Sequence, residues 1–107
     1  MIEIRRLLCP VDYSDFSRHA FGYAAAVARW YGSTITALHV VPPMAAPIPS
    51  GDTFPPLPVS PGDLERMRQE LEAFVWPLAG DVPCETLVVE GSIGGEIQRQ
   101  AERLPAD

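Results

Sequence analysis

The chain contains no lysine, and this absence argues against one class of function. All of its positive charge comes from 8 arginines, which stand against 14 acidic residues and leave a net charge of −6. A protein that binds nucleic acid needs a basic surface to neutralise the backbone phosphates. We therefore expect no nucleic-acid partner, and we attribute the acidic balance to solubility.

Cysteine is scarce as well, since the chain has only Cys9 and Cys84. Each lies within a predicted strand, and nothing in the sequence suggests secretion. The other soft ligands, His19 and His39, show no metal-ligand spacing to either cysteine. We expect two free, buried thiols, with no disulfide and no bound metal.

Long apolar runs are also missing. No stretch approaches the roughly 18 residues of a membrane-spanning helix. The start, with Glu3, Arg5 and Arg6 around a short apolar stretch, lacks the apolar core and cleavage site of a signal peptide. A length of 107 residues with 47% hydrophobic and 21% charged residues is typical of one globular domain. We expect a single cytoplasmic domain with no membrane partner.

The first half of the chain predicts a strand, a helix and a second strand. The apolar run from Leu7 to Val11 shows no polar alternation, which is typical of a strand covered on both faces, and Pro10 should lie near its end. Ser14 or Asp12 caps the helix, and Gly32 ends it. The apolar spacing predicts a sheet-facing side made of Phe16, Ala20, Tyr23, Ala24, Val27, Ala28 and Tyr31. The outer side should then consist of Arg18, Gly22, Ala25 and Arg29.

The second half continues the alternation after an interruption. A second strand at 34–41 is followed by eight prolines within residues 42–61, a density that excludes regular structure and predicts a flap or an extended loop. Ser60 and Pro61 then begin a second helix. A third strand at 82–90 leads to a third helix, capped by Ser92 and ended by Leu104-Pro105. This order predicts an α/β fold with a parallel, doubly wound sheet.

Two segments resemble the universal stress protein family. They are LLCPVDYSDFSRHAFGYAAAVARWYGSTITALHVV at 7–41 and VVEGSIGGEIQRQAERLPAD at 88–107. The shared features are a strand ending in Pro-x-Asp, a long amphipathic helix, a strand ending in His-Val, a Gly-Ser turn and a Pro-Ala-Asp turn. The resemblance implies the adenine-nucleotide α-hydrolase-like fold, with strand order 3-2-1-4-5.

Family members continue past the Pro-Ala-Asp turn. A fourth strand follows there, then a Gly-x-x-Gly-x9-Gly-Ser/Thr phosphate loop, a helix and a fifth strand. None of these is present in the 107 residues. We therefore expect one incomplete domain over residues 1–107, with about three strands and three helices.

The resemblance also nominates a nucleotide site at the carboxyl ends of the first two strands, where open parallel sheets bind ligands. In the family the aspartate after strand one lies at the ribose and phosphates, and the valine of His-Val sets its backbone against the adenine. The corresponding residues are Pro10, Val11, Asp12 and Val40, with Gly91 as a weaker candidate. From physics alone Asp12 can equally serve as a partner of the helix dipole. The implied ligand is ATP or AMP with magnesium, bound weakly or not at all without the phosphate loop.

Two other functions compete with nucleotide sensing. One is an enzyme of the α-hydrolase-like group, but the turn Asp12 to Asp15 has neither the histidine-rich nor the glycine-rich phosphate motif of its catalytic members. The other is an interaction module without nucleotide. In the implied strand order, ending before strand four leaves strand one as an open edge, and unpaired edges invite another strand. We therefore expect a homo-oligomer formed through strand one.

Overall fold

The computed structural model describes residues 3–42, 60–104 and 106. Strands β1 (Arg6–Pro10), β2 (Thr34–Val41) and β3 (Cys84–Glu90) alternate with helices α1 (Asp15–Tyr31), α2 (Pro61–Ala79) and α3 (Ile93–Arg103). The strands are parallel and lie in the order β1-β2-β3, with β2 in the centre. The predicted α/β class is confirmed, and so is the 3-2-1 part of the expected strand order. The Pro-rich segment predicted at 42–61 falls mostly outside the described residues.

The hydrogen bonds of β1 explain why a proline is tolerated there. Arg5 accepts a bond from Thr34 at 3.0 Å, and Val11 donates one to Leu38 at 2.7 Å. In a parallel strand, every second residue points its backbone N–H and C=O to the same side. Since the odd-numbered Arg5 and Val11 bond to β2, the even-numbered Leu8 and Pro10 point their backbone groups away from it. The missing N–H of Pro10 therefore lies at the outer edge of the sheet, where a proline removes no ladder bond.

The two faces of the sheet are covered by different helices. On one face α1 and α2 pack side by side over the buried Ile35 and Ala37. Side chains alternate across a strand, so Leu38 and Val40 belong to the opposite face, where α3 contacts β2. This arrangement, with helices on both faces, is the doubly wound layout that the sequence predicted. The described residues contain no helix long and apolar enough to cross a membrane.

Helix α1 turns a different side to the sheet than its apolar spacing predicted. The buried residues are Ser17, Phe21, Ala25 and Ala28, with Phe21 fully enclosed. Five residues of the predicted inner side are exposed instead: Phe16, Ala20, Tyr23, Val27 and Tyr31. The prediction failed because α1 is apolar over most of its circumference, so spacing alone did not select the buried side. The small residues Ala25 and Ala28 allow the helix to lie close to the strands.

The ends of the helices follow the sequence signals closely. Ser14, not Asp12, is the N-cap of α1, and its hydroxyl accepts from the N–H of Ser17 at 3.0 Å. Gly32 ends α1 with a left-handed φ of 67°. Ser60 caps α2 in the same way, and α2 continues through Pro77 in its last turn and ends at Gly80.

Helix α2 packs on the sheet through one apolar face. Leu71 and Val75 are buried at its centre, and Leu64, Met67, Phe74 and Leu78 are half-buried around them. Both cysteines are free thiols, as expected. Cys9 is buried, whereas Cys84 at the start of β3 is only half-buried.

Candidate functional site

A small cavity opens at the carboxyl ends of β1 and β2, which is where a parallel sheet of this kind binds ligands. Its volume is about 180 Å³. It is lined by Pro10, Val11, Asp12, Leu38, His39, Val40, Ile93 and Ile97. The structure thus brings all four residues nominated from the sequence to one cavity, although their role in binding stays a prediction.

The backbone of Val40 has the geometry to recognise a flat polar ring. The backbones of Thr34 and Leu38 bond to the β1 side of β2. Val40 stands an even number of residues from both, so its N–H and C=O also point toward that side. The β1 strand has already ended at Pro10, and the next carbonyl, that of Val11, is taken by His39 Nδ1 at 2.7 Å. The donor and acceptor of Val40 therefore face the region past the end of β1, beside the cavity.

Asp12 is held as an anion at the mouth of the cavity. Its Oδ1 accepts from the backbone N–H of Ser14 at 3.0 Å and also from the Ser14 hydroxyl. Bonds from the hydroxyls of Ser14 and Ser17 lower the pKa of Asp12 from 3.8 to about 2. Both bonds from Ser14 end on Oδ1 of Asp12, on the other side of the carboxylate from Oδ2. This oxygen can accept a ribose hydroxyl or contact a cation.

In the β1-to-α1 turn, the side chain of Tyr13 packs against two aromatic rings, those of His39 and Phe74. Tyr13 takes a left-handed φ of 65°, an uncommon conformation for a residue with a bulky side chain. Its ring packs against His39 at 4.7 Å and edge-on against Phe74 at 5.3 Å. His39 is in turn fixed by its bond to Val11, which requires Nδ1 to carry the proton because a carbonyl can only accept. His39 is thus held in place by a hydrogen bond and by ring packing.

The third wall of the cavity comes from α3, and the sequence analysis missed it. Ile93 and Ile97 stand four residues apart on an otherwise polar helix, so they share one face. That spacing was the available signal. At Gly91, the weaker candidate, the local structure itself explains the glycine. Its φ is 156°, and a Cβ there would meet Glu96 Cγ at 2.6 Å.

The start of α1, beside the cavity, is poorly suited to bind phosphates. The N–H of Ser17 is bonded to the Ser14 cap, and Asp12 and Asp15 add negative charge to the same turn. Helix starts bind anions through free N–H groups without competing carboxylates. Arg18, the nearest arginine along the chain, lies over the ring of Phe74 at 5.5 Å. The start of α1 thus offers no group suited to bind an anion.

A larger groove of about 840 Å³ lies elsewhere, along the outer surface of α1 between Phe16, Tyr23 and Leu78. Size alone would favour it as a ligand site. We favour the small cavity, because the backbone groups of Val40 and the carboxylate of Asp12 converge there at the strand ends. The groove, in contrast, is an open helix surface.

Comparison with known families gives one match. The sequence model described as "Universal stress protein family" matches residues 3–107. No curated protein matches the chain by sequence.

Several solved structures are similar to this chain in fold. A universal stress protein from Lactobacillus plantarum is 23% identical, with a TM-score of 0.67 over 98% of this chain and 73% of its own length. A universal stress protein in complex with cAMP is 15% identical, with a TM-score of 0.70 over 99% and 74%. One from Arabidopsis thaliana with AMP bound is 20% identical, with a TM-score of 0.61 over 96% and 72%. Identities this low show the shared fold alone.

Proposed function

Because the chain belongs to the universal stress protein family, we propose that it is a cytoplasmic, non-catalytic stress-response module that binds an adenine nucleotide in the cavity between β1, β2 and α3. The observation that carries this proposal is the backbone of Val40, whose donor and acceptor face the cavity mouth. An adenine edge offers the complementary acceptor and donor. The structures with cAMP and with AMP bound support the ligand class.

Each candidate residue has a distinct part in this proposal. Val40 pairs with the adenine edge, and Ile93 and Ile97 form the apolar wall against which the ring lies. Asp12 accepts a ribose hydroxyl through Oδ2, while Ser14 keeps the carboxylate ionised and oriented. Pro10 and Val11 shape the floor. The proposal gives each of these groups a binding role and no catalytic one.

We further propose that binding to this chain is weak and depends little on phosphate. The cavity of about 180 Å³ is smaller than the ~300–1,000 Å³ that encloses a whole ligand. Charge-assisted hydrogen bonds to phosphates contribute about 1.5–3 kcal/mol each, and the start of α1 offers none. We expect millimolar affinity.

Calorimetry with adenosine, AMP and ATP with magnesium tests this function. We expect the three dissociation constants to agree within about tenfold, a spread of about 1.4 kcal/mol. Asp12→Ala should weaken AMP binding about tenfold or more, since a hydrogen bond to a charged group contributes about 1.5–3 kcal/mol.

Asp15→Ala is the matched control, because it removes the same charge from the same turn without touching the cavity. It should leave AMP binding unchanged. Submicromolar ATP binding would show that a phosphate site exists elsewhere, and absence of binding by all three ligands would contradict the proposed function.

A further inference from the structure

The backbone hydrogen bonds between β1 and β2 stop where the candidate nucleotide site begins. They run from the bond between Thr34 and Arg5 to the bond from the Val11 N–H to the Leu38 carbonyl, which is 2.7 Å long. In a parallel ladder, a residue that donates to one residue of the neighbouring strand accepts from the residue two positions further on. The next bond of this ladder would therefore run from the Val40 N–H to the Val11 carbonyl.

A side chain takes the place of that next bond. The Val11 carbonyl accepts a hydrogen bond from Nδ1 of His39 at 2.7 Å. His39 directly precedes Val40 on β2, so its ring reaches the carbonyl that the Val40 N–H would otherwise use. The Val40 N–H is left facing the mouth of the cavity.

The turn after β1 prevents the ladder from resuming further on. Tyr13 has a φ of 65°, far from the extended conformation that a strand requires, so the chain leaves the sheet at this residue. The ring of Tyr13 packs against the His39 ring at 4.7 Å and against Phe74 of α2 at 5.3 Å. The residue that turns the chain away from β2 therefore also holds the His39 ring in place.

We propose that His39 is a positioning residue that keeps the nucleotide site open. By bonding the Val11 carbonyl, it ends the ladder one step early and leaves the Val40 N–H available to an adenine edge. This inference rests on the proposed function and adds to it the group on which the site depends.

Loss of the His39 donor should let the ladder close by one step. Val40 is buried, and buried backbone groups find a hydrogen-bond partner wherever one is within reach. Without the ring, the Val11 carbonyl and the Val40 N–H become partners. A nucleotide base must then compete with a bond inside the chain, and the net value of one such bond corresponds to about threefold to tenfold in affinity.

His39→Leu and His39→Asn form a matched pair of variants. Both new side chains branch at Cγ, as histidine does, but only asparagine carries an N–H donor at the position of Nδ1. We expect His39→Asn to bind AMP as the wild-type chain does, and His39→Leu to bind it about threefold to tenfold more weakly. An amide NMR titration measures the affinities, and circular dichroism establishes that both variants are folded.

Hydrogen exchange of the ligand-free chain tests the mechanism without nucleotide. In the wild-type chain, the Val40 amide should exchange about tenfold or more faster than the amide of Leu38, which lies within the ladder. In His39→Leu the Val40 amide should slow about tenfold or more, and in His39→Asn it should keep its wild-type rate. A purely structural role of His39 would alter the amides of β2 together and would not single out Val40.

The two measurements distinguish this inference from the function on which it rests. A Val40 amide that exchanges equally in the wild-type chain and in His39→Leu, or equal and measurable AMP affinities of the two variants, would overturn the role of His39. Absence of AMP binding by the wild-type chain would contradict the proposed function, and the exchange of Val40 would then decide by itself whether His39 ends the ladder.

Discussion

Gly91 and Gly94 are three residues apart, and the structure requires a glycine at the first position but has room for a side chain at the second. Gly91 has a φ of 156° and lies against Glu96, whereas a Cβ at Gly94 would meet nothing within 4 Å. We expect Gly91→Ala to lower the free energy of unfolding by about 1–3 kcal/mol, the usual cost of a strained backbone. Gly94→Ala should raise it by up to about 1 kcal/mol, because alanine favours the helix.

Urea unfolding of both variants measures this difference. The protein concentration must be the same throughout, since self-association would add to the apparent stability. Equal effects of the two substitutions would contradict the account of the β3-to-α3 turn.

The buried thiol of Cys9 makes the free energy of unfolding depend on pH in the alkaline range. Burial, with a smaller contribution from Cys84, raises the pKa of the Cys9 thiol from 9.0 to about 11. Below pH 9 the thiol is protonated in both the folded and the unfolded chain, so it adds no pH dependence there. Between pH 9 and 11 only the unfolded chain loses the proton, and stability must fall.

Cys9→Ala removes this proton and should flatten the decline between pH 9 and 11. The comparison concerns the slope of the unfolding free energy against pH, because other groups act equally in both proteins. Identical slopes would show that the thiol is not buried as described.

At the scale of whole elements, the ends of helices were predictable because capping is local. Ser60 was recognised from Pro61 beside it, and its hydroxyl does accept from the Asp63 N–H at 3.2 Å. The buried side of α1 was not predictable in the same way. Its selection depends on which residues fit against a sheet formed by distant parts of the chain.

The serine caps of α2 and α3 differ in a way that mutation can measure. Ser60 makes its capping bond, whereas Ser92 occupies the N-cap position without one. Ser60→Ala should lower the free energy of unfolding by about 0.5–2 kcal/mol. Ser92→Ala should change it much less, and a larger loss at Ser92 would contradict the cap assignment.

At the scale of the molecule, the family resemblance implied the strand order, and the position of the cavity followed from the topology of a parallel sheet. Parallel strands bring their carboxyl ends to one edge, so Asp12 and Val40 had to come near each other. The contribution of α3 could not be derived so directly. Ile93 and Ile97 reach the cavity only because the crossover after β3 returns to the other face of the sheet.

The central claim is that an adenine ring binds between Val40, Asp12 and α3, and a two-dimensional amide NMR titration with AMP tests it most directly. The account predicts saturable shifts at millimolar AMP, concentrated at Val11, Asp12, Val40, Ile93 and Ile97. The amides of α1 around Tyr23 should stay unchanged and report on any general effect of the added salt. Shifts centred on the α1 groove, or no saturable shift at the strand ends, would contradict it.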